Sequence, residues 1–220
     1  MSSGKLIFRY GAMGSAKTAH LLMTAFNFEE KGKKVYLVKP SIDTRSGNKI
    51  SSRVPGLEKE CILIDSNDKV FSSIHREMTE NDYIDQILDN VSILPDMSLE
   101  SSSSKAISEI ILVDEAQFLT SDQVDELSNL VDNLGFLVIC YGLRTDSNTH
   151  LFEGSKRLME LADTIEEIKS MCSCGHKAII NARFDEYGNI LHNVENQVEI
   201  GGNERYISVC RKCYNYNKQD

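Results

Sequence analysis

GAMGSAKT, residues 11–18, follows the apolar run KLIFRY and ends in a Lys-Thr pair. That ending closes the phosphate-binding pattern G-x-x-x-x-G-K-[ST], with one departure: Ala16 stands where the pattern has its second glycine. The stretch follows a predicted strand and opens a predicted helix, where backbone N–H groups and the helix dipole hold phosphate. Gly11, Ala12, Met13, Gly14, Ser15 and Ala16 make up the loop ahead of the Lys-Thr pair. Lys17 is expected to reach the β- and γ-phosphates, and the Thr18 hydroxyl to contact Mg²⁺. Ala16 adds a methyl and loses freedom at positive φ. If the backbone keeps negative φ there, the loop forms, and the alanine weakens the motif without cancelling it.

A loop of this kind needs an acid at the end of a buried strand to organise the metal. EIILVDEAQF (109–118) supplies one, because Asp114 closes four consecutive apolar residues. Glu115 follows directly, placed to accept a proton from an attacking hydroxyl. Alone, Asp-Glu at a strand end reads as a solvated turn. Paired with Lys17-Thr18 upstream, it reads as functional.

Working outward, KLIFRY (5–10), KVYLVK (34–39), CILID (61–65), EIILVD (109–114) and FLVICY (136–141) read as buried strands. Helices are predicted over 18–32, ending at Gly32, from Thr120 onward with a Thr120–Gln123 capping box, and over 155–163. Strands alternating with helices predict an α/β fold of the P-loop NTPase kind, a mostly parallel sheet with helices on both faces. Residues 40–56 and the serine-rich 95–108 lack periodicity and read as loops. The acidic run 77–89 reads as a solvated helix face. From about residue 171 the composition turns to short β runs and cysteines. The expected division is therefore 1–170, a nucleotide-binding domain, and 171–220, a small second domain.

The formal net charge of -9 over 220 residues argues against a nucleic-acid-coating surface. Apolar stretches are too short to span a bilayer, and MSSGK is not a signal segment, so a cytoplasmic protein with no membrane partner is expected. Four of the six cysteines form two close pairs, Cys172/Cys174 and Cys210/Cys213. Two such pairs far apart in sequence suit tetrahedral Zn²⁺ in a structural role, with a redox pair as the rival reading. His176 is a further ligand candidate, displaced if the four thiolates fill the shell.

Together the motifs resemble the thymidine kinases of the zinc-containing, cellular/bacterial type. The resemblance runs through GAMGSAKT, DTR (43–45), DEAQF (114–118) and GLRTD (142–146) with Phe152. It extends through both cysteine pairs and VEIGGNERYISVCRKCY (198–214). It implies a RecA-like core with a zinc-ribbon-like β domain, whose lasso loop covers the nucleoside base. It implies Glu115 as general base toward the 5′-hydroxyl of deoxythymidine. ATP would be held by residues 11–18 with Asp43, Thr44, Arg45, Asp114 and Gln117, and Mg²⁺ by Thr18 and Asp114. Met13, Phe118, Leu143, Phe152 and Tyr206 would wall the thymine pocket. Main-chain groups of Gln197, Val198, Glu199, Ile200 and Gly201 would read the base edge. A homotetramer and feedback inhibition by dTTP are implied as well. Ala16, Ser147 where an aromatic is common, and the serine-rich segment depart from the family pattern. Ser147 leaves another nucleoside such as deoxyuridine open as acceptor, and a non-catalytic zinc-ribbon binding module is the remaining alternative.

Overall fold

The computed structural model describes residues 4–76, 109–192 and 205–216. Its centre is a six-stranded sheet of β1 (Lys5–Tyr10), β2 (Val35–Pro40), β5 (Ile62–Ile64), β6 (Ile110–Val113), β7 (Leu137–Gly142) and β8 (Thr164–Glu167). The strand order is β5-β2-β6-β7-β1-β8, and every pairing is parallel. Parallel strands are buried on both faces, so their alternating side chains feed two cores. On β6, Ile111 and Val113 enter one core while Ile110 and Leu112 enter the other.

Helix α1 (Lys17–Glu29) covers one face with Leu21, Leu22 and Ala25. The other face is covered by α2 (Val70–His75), α3 (Ser121–Leu134) and α4 (Glu153–Leu161). The predicted capping box opens α3: Thr120 accepts from the Gln123 N–H, and Gln123 answers the Thr120 N–H. Helix α1 ends at Glu29, short of its expected 18–32 span, and Gly32 takes φ 69° in the turn beyond it.

Two expectations need correction. Within the expected loop 40–56, β3 (Lys49–Ser51) pairs antiparallel with β4 (Glu58–Glu60), because Ile50 is fully buried with the α1 cluster. Strand β8 was not foreseen. It is a polar edge strand held by one neighbour, and such strands carry little apolar signal.

The C-terminal region contains β9 (Ser170–Met171), β10 (Lys177–Ala178), β11 (Ile180–Phe184), β12 (Ile190–Leu191), β13 (Tyr206–Val209) and α5 (Arg211–Tyr216). It has its own apolar cluster, including Ala178, Ile180, Ala182, Val209 and Tyr214. Residues 77–89, 95–108 and Gln197–Gly201 lie outside the described residues.

Candidate active site

The carboxyl ends of β1, β2, β6 and β7 all open onto one cleft of about 490 Å³. In open parallel sheets this is where ligands bind, since loops diverge there and helix N-termini point inward. At β1, the chain turns through residues 11–16 into α1. Ala16 takes φ 60° and ψ 28° as N-cap, so the condition of negative φ is not met, and the loop forms with alanine in the left-handed region. Ala16, the N-cap, has no side chain able to cap α1, so the first N–H groups of the helix lack the usual N-cap acceptor.

Lys17 is buried, and its Nζ donates to the carbonyls of Gly11 at 2.9 Å and Ala12 at 3.1 Å. Burial lowers its pKa, against the opposing charges of Glu115 and Asp114. The Thr18 hydroxyl donates to Asp114 Oδ2 at 3.1 Å. Burial, then the charge of Glu115, pushes the Asp114 carboxyl up to about 7. Two hard oxygen donors in contact beside a phosphate loop form a donor set that fits Mg²⁺.

Glu115 sits at φ 50°, a left-handed conformation that lifts its side chain off the end of β6 into the cleft. Its Oε1 accepts from an Arg45 terminal nitrogen, and its Oε2 accepts from Gln117 Nε2 at 2.6 Å. Arg45 also donates to both Asp43 oxygens, at 2.6 and 3.1 Å. Burial works against the Arg45 charge, but its bonds to Asp43 and Glu115 outweigh that and raise its pKa. Burial raises the Asp43 pKa in turn, but its bonds to Arg45 outweigh that and hold it below the usual range.

The cleft is lined by Met13, Gly14, Ala16, Lys17, Thr18, Asp43, Arg45, Asp114, Glu115, Gln117, Phe118, Leu143, Phe152 and Tyr206. Phe118 and Phe152 meet edge to face at 5.9 Å. Gly11, Ala12, Ser15 and Thr44 do not line it. Ser147 does, and it is 2% exposed, its carbonyl accepting from the Tyr214 hydroxyl of α5.

Sequence reasoning missed several groups. Lys39, 1% exposed, donates to Ser46 Oγ and the Lys49 carbonyl and stands 3.7 Å from Asp43. A lone lysine inside an apolar strand was the signal available. Arg53 lines the cleft from the segment between β3 and β4. Asn181 on β11 accepts from the Met13 N–H at 2.7 Å, and Ser208 on β13 donates to the Met13 carbonyl. The C-terminal region thus grips both backbone groups of one phosphate-loop residue.

In that region the Sγ atoms of Cys172, Cys174, Cys210 and Cys213 all lie within 4.8 Å of one another. Hydrogen bonds from backbone N–H groups at Cys174 and Cys210 pull the Cys172 thiol down to about 6. Four thiols converging from two turns could hold a metal such as tetrahedral Zn²⁺. His176 Nδ1 lies 3.4 Å from Cys174 Sγ, beside that set.

A parallel sheet whose strand ends carry a phosphate loop, a Thr–Asp pair and an aromatic-walled cleft defines a P-loop nucleotide-binding protein. The chain belongs to the thymidine kinase family, whose model, described as thymidine kinase, matches residues 4–97 and 57–214. It is 38% identical to the thymidine kinase of Rhodopirellula baltica over 94% of this chain and 86% of that one. It is 38% identical to that of Photobacterium profundum, over 96% of both chains. The Yersinia pestis thymidine kinase is 39% identical over 96% of this chain and 94% of its own. Among solved structures, the Pif1 helicase from Candida albicans superposes with a TM-score of 0.38 at 14% identity. That match covers 76% of this chain and 36% of the helicase.

Proposed function

We propose that this protein transfers the γ-phosphoryl group of ATP to the 5′-hydroxyl of deoxythymidine, releasing dTMP and ADP. One observation carries the reading. Lys17, Thr18, Asp114 and Glu115 meet at one end of a cleft walled elsewhere by Phe118, Phe152, Leu143 and Tyr206, in a chain of the thymidine kinase family.

In this mechanism Lys17 exchanges the loop carbonyls for β- and γ-phosphate oxygens, and the N-terminus of α1 adds its N–H groups and dipole. Glu115 takes the proton of the 5′-hydroxyl as its oxygen bonds to the γ-phosphorus and the bond to the ADP oxygen breaks. Arg45, held by Asp43, stands beside Glu115 and neutralises charge developing on the phosphates. Thr18 and Asp114 would hold Mg²⁺, which would supply further neutralisation of the phosphates. The aromatic pair and Met13 position the base, and main-chain groups of Gln197–Gly201 read its edge.

The same proposal includes structural Zn²⁺ on the four cysteines and a division between residues 170 and 171. It also includes a homotetramer, inhibition by dTTP and a cytoplasmic location, all carried by the family resemblance.

The test is ADP release from Mg·ATP with and without deoxythymidine, with deoxyuridine in parallel, and identification of the product. Deoxythymidine-dependent ADP with equimolar dTMP is expected. Glu115→Gln is expected to abolish turnover while ATP still binds. ATP binding with no dTMP would refute the acceptor, and loss of ATP binding in Glu115→Gln would refute the role given to Glu115.

A further inference from the structure

We infer that Gln117 is a positioning residue: it holds one oxygen of Glu115 and ties it to the wall of the nucleoside pocket, leaving Oε1 as the atom that takes the proton. The inference rests on the reading of Glu115 as general base.

Gln117 lies on the 3-10 turn Ala116–Phe118 that follows Glu115, and it is 2% exposed. Both ends of its amide are occupied. Oε1 accepts from the Leu143 N–H at 2.9 Å, and Nε2 donates to Glu115 Oε2 at 2.6 Å. The backbone N–H can only donate, so it fixes which way the amide faces and presents N–H₂ to the carboxylate. Leu143 is itself fixed, since its carbonyl accepts from the Ser155 hydroxyl of α4 at 2.5 Å.

Close packing explains why the contact is possible. A Cβ on Gly142 would come within 2.9 Å of Gln117 Oε1 and 3.0 Å of the Gln117 nitrogen. A side chain at 142 would displace the amide, and glycine leaves room for it.

The two holders of Glu115 differ in kind. Arg45 is 36% exposed, sits at the phosphate end of the cleft, and is the natural partner of an arriving phosphate. Gln117 is a buried neutral amide anchored at its other end to main chain, and it takes this holding role in place of the ATP contact that the family resemblance implies. When Arg45 turns to the phosphates, Oε1 is released while Oε2 stays bound to Gln117. One oxygen is then free and aimed, and rotation of the carboxylate is blocked. Leu143 is in the pocket wall, so the base and the nucleoside are referred to one rigid point at the end of β7.

The test compares wild type with Gln117→Glu and Gln117→Met. The glutamate keeps an acceptor for the Leu143 N–H but faces Glu115 with an oxygen instead of a donor. The methionine keeps the volume without charge. Outer groups that orient a working side chain cost about 10- to 100-fold when removed. That loss is expected in kcat for both variants, with KM for ATP and for deoxythymidine within about twofold of wild type. Folded variants with kcat within about threefold of wild type would overturn the inference. A rise of about tenfold in the KM for ATP at unchanged kcat would also overturn it, making Gln117 an ATP contact. Wild-type protein making no deoxythymidine-dependent ADP would overturn the parent reading, a result distinct from either.

Discussion

Gly154→Ala tests whether packing between α4 and the Ala116–Phe118 turn sets the position of the base. Gly154 is buried in the first turn of α4. A Cβ built there would lie 2.6 Å from the Ala116 carbonyl oxygen, 2.7 Å from that of Leu119 and 3.2 Å from that of Gln117. All three are main-chain atoms, so no side chain can swing aside. Restoring an ordinary separation of ~3.5 Å requires the helix or the turn to move by roughly 0.9 Å. Overpacking of this kind costs about 1–3 kcal/mol. Removing a glycine from a helix returns about 0.5–1 kcal/mol. The net expectation is a loss of about 1–2 kcal/mol, which for a chain of this size lowers Tm by roughly 2–8 °C. The moving turn carries Gln117 and follows directly on Glu115, and a displacement near 1 Å at a reacting group costs ~100-fold. Thermal unfolding and deoxythymidine-dependent ADP formation are to be measured on the same preparation. A lower Tm with kcat reduced roughly 10- to 100-fold is expected. A lower Tm with full kcat would mean that α4 yields while the turn stays. An unchanged or raised Tm with full kcat would refute the packing argument.

Other perturbations follow from the same geometry. At φ 60° a β-branched side chain is strained well beyond alanine, so Ala16→Val should lose about 1–2 kcal/mol of stability and much of its ATP affinity. Urea unfolding with an ATP titration checks this, and a valine variant that binds ATP like wild type would remove the conformational constraint from the loop. With Zn²⁺ on the four cysteines, as proposed, chelation or Cys210→Ser should release about one metal ion per chain and melt β11 and β13. Because Asn181 and Ser208 grip Met13, ATP affinity should fall with metal content. Metal analysis alongside ATP binding checks this, and a zinc-free protein with undiminished ATP affinity would break the link between the two regions.

Family membership and most of the sheet were legible in one dimension because their signals are local. A buried parallel strand is an apolar run of three to six residues in this chain, and five such runs became sheet strands. The phosphate loop and the Asp114–Glu115 pair are contiguous motifs with fixed offsets. The Thr120–Gln123 box spans one helical turn and forms as its spacing requires. The four cysteines announce themselves by type, since few other roles place two close thiol pairs in one chain.

Tertiary structure decided whatever depends on which strand ends become neighbours. The connected groups Lys39, Asp43, Arg45, Glu115, Gln117 and Leu143 lie along three strand ends made adjacent by the order β2-β6-β7. No local period encodes an order of that kind. The left-handed backbone at Ala16 is likewise a demand of the fold, since the turn from β1 into α1 overrides the preference of the residue placed there. The grip of β11 and β13 on Met13 joins residues 168 and 195 positions apart. Hydrogen bonds of that range come from the packing of the C-terminal strands against the phosphate loop. The sequence by itself determined the chemical groups and their local elements, and the tertiary structure determined which of them touch.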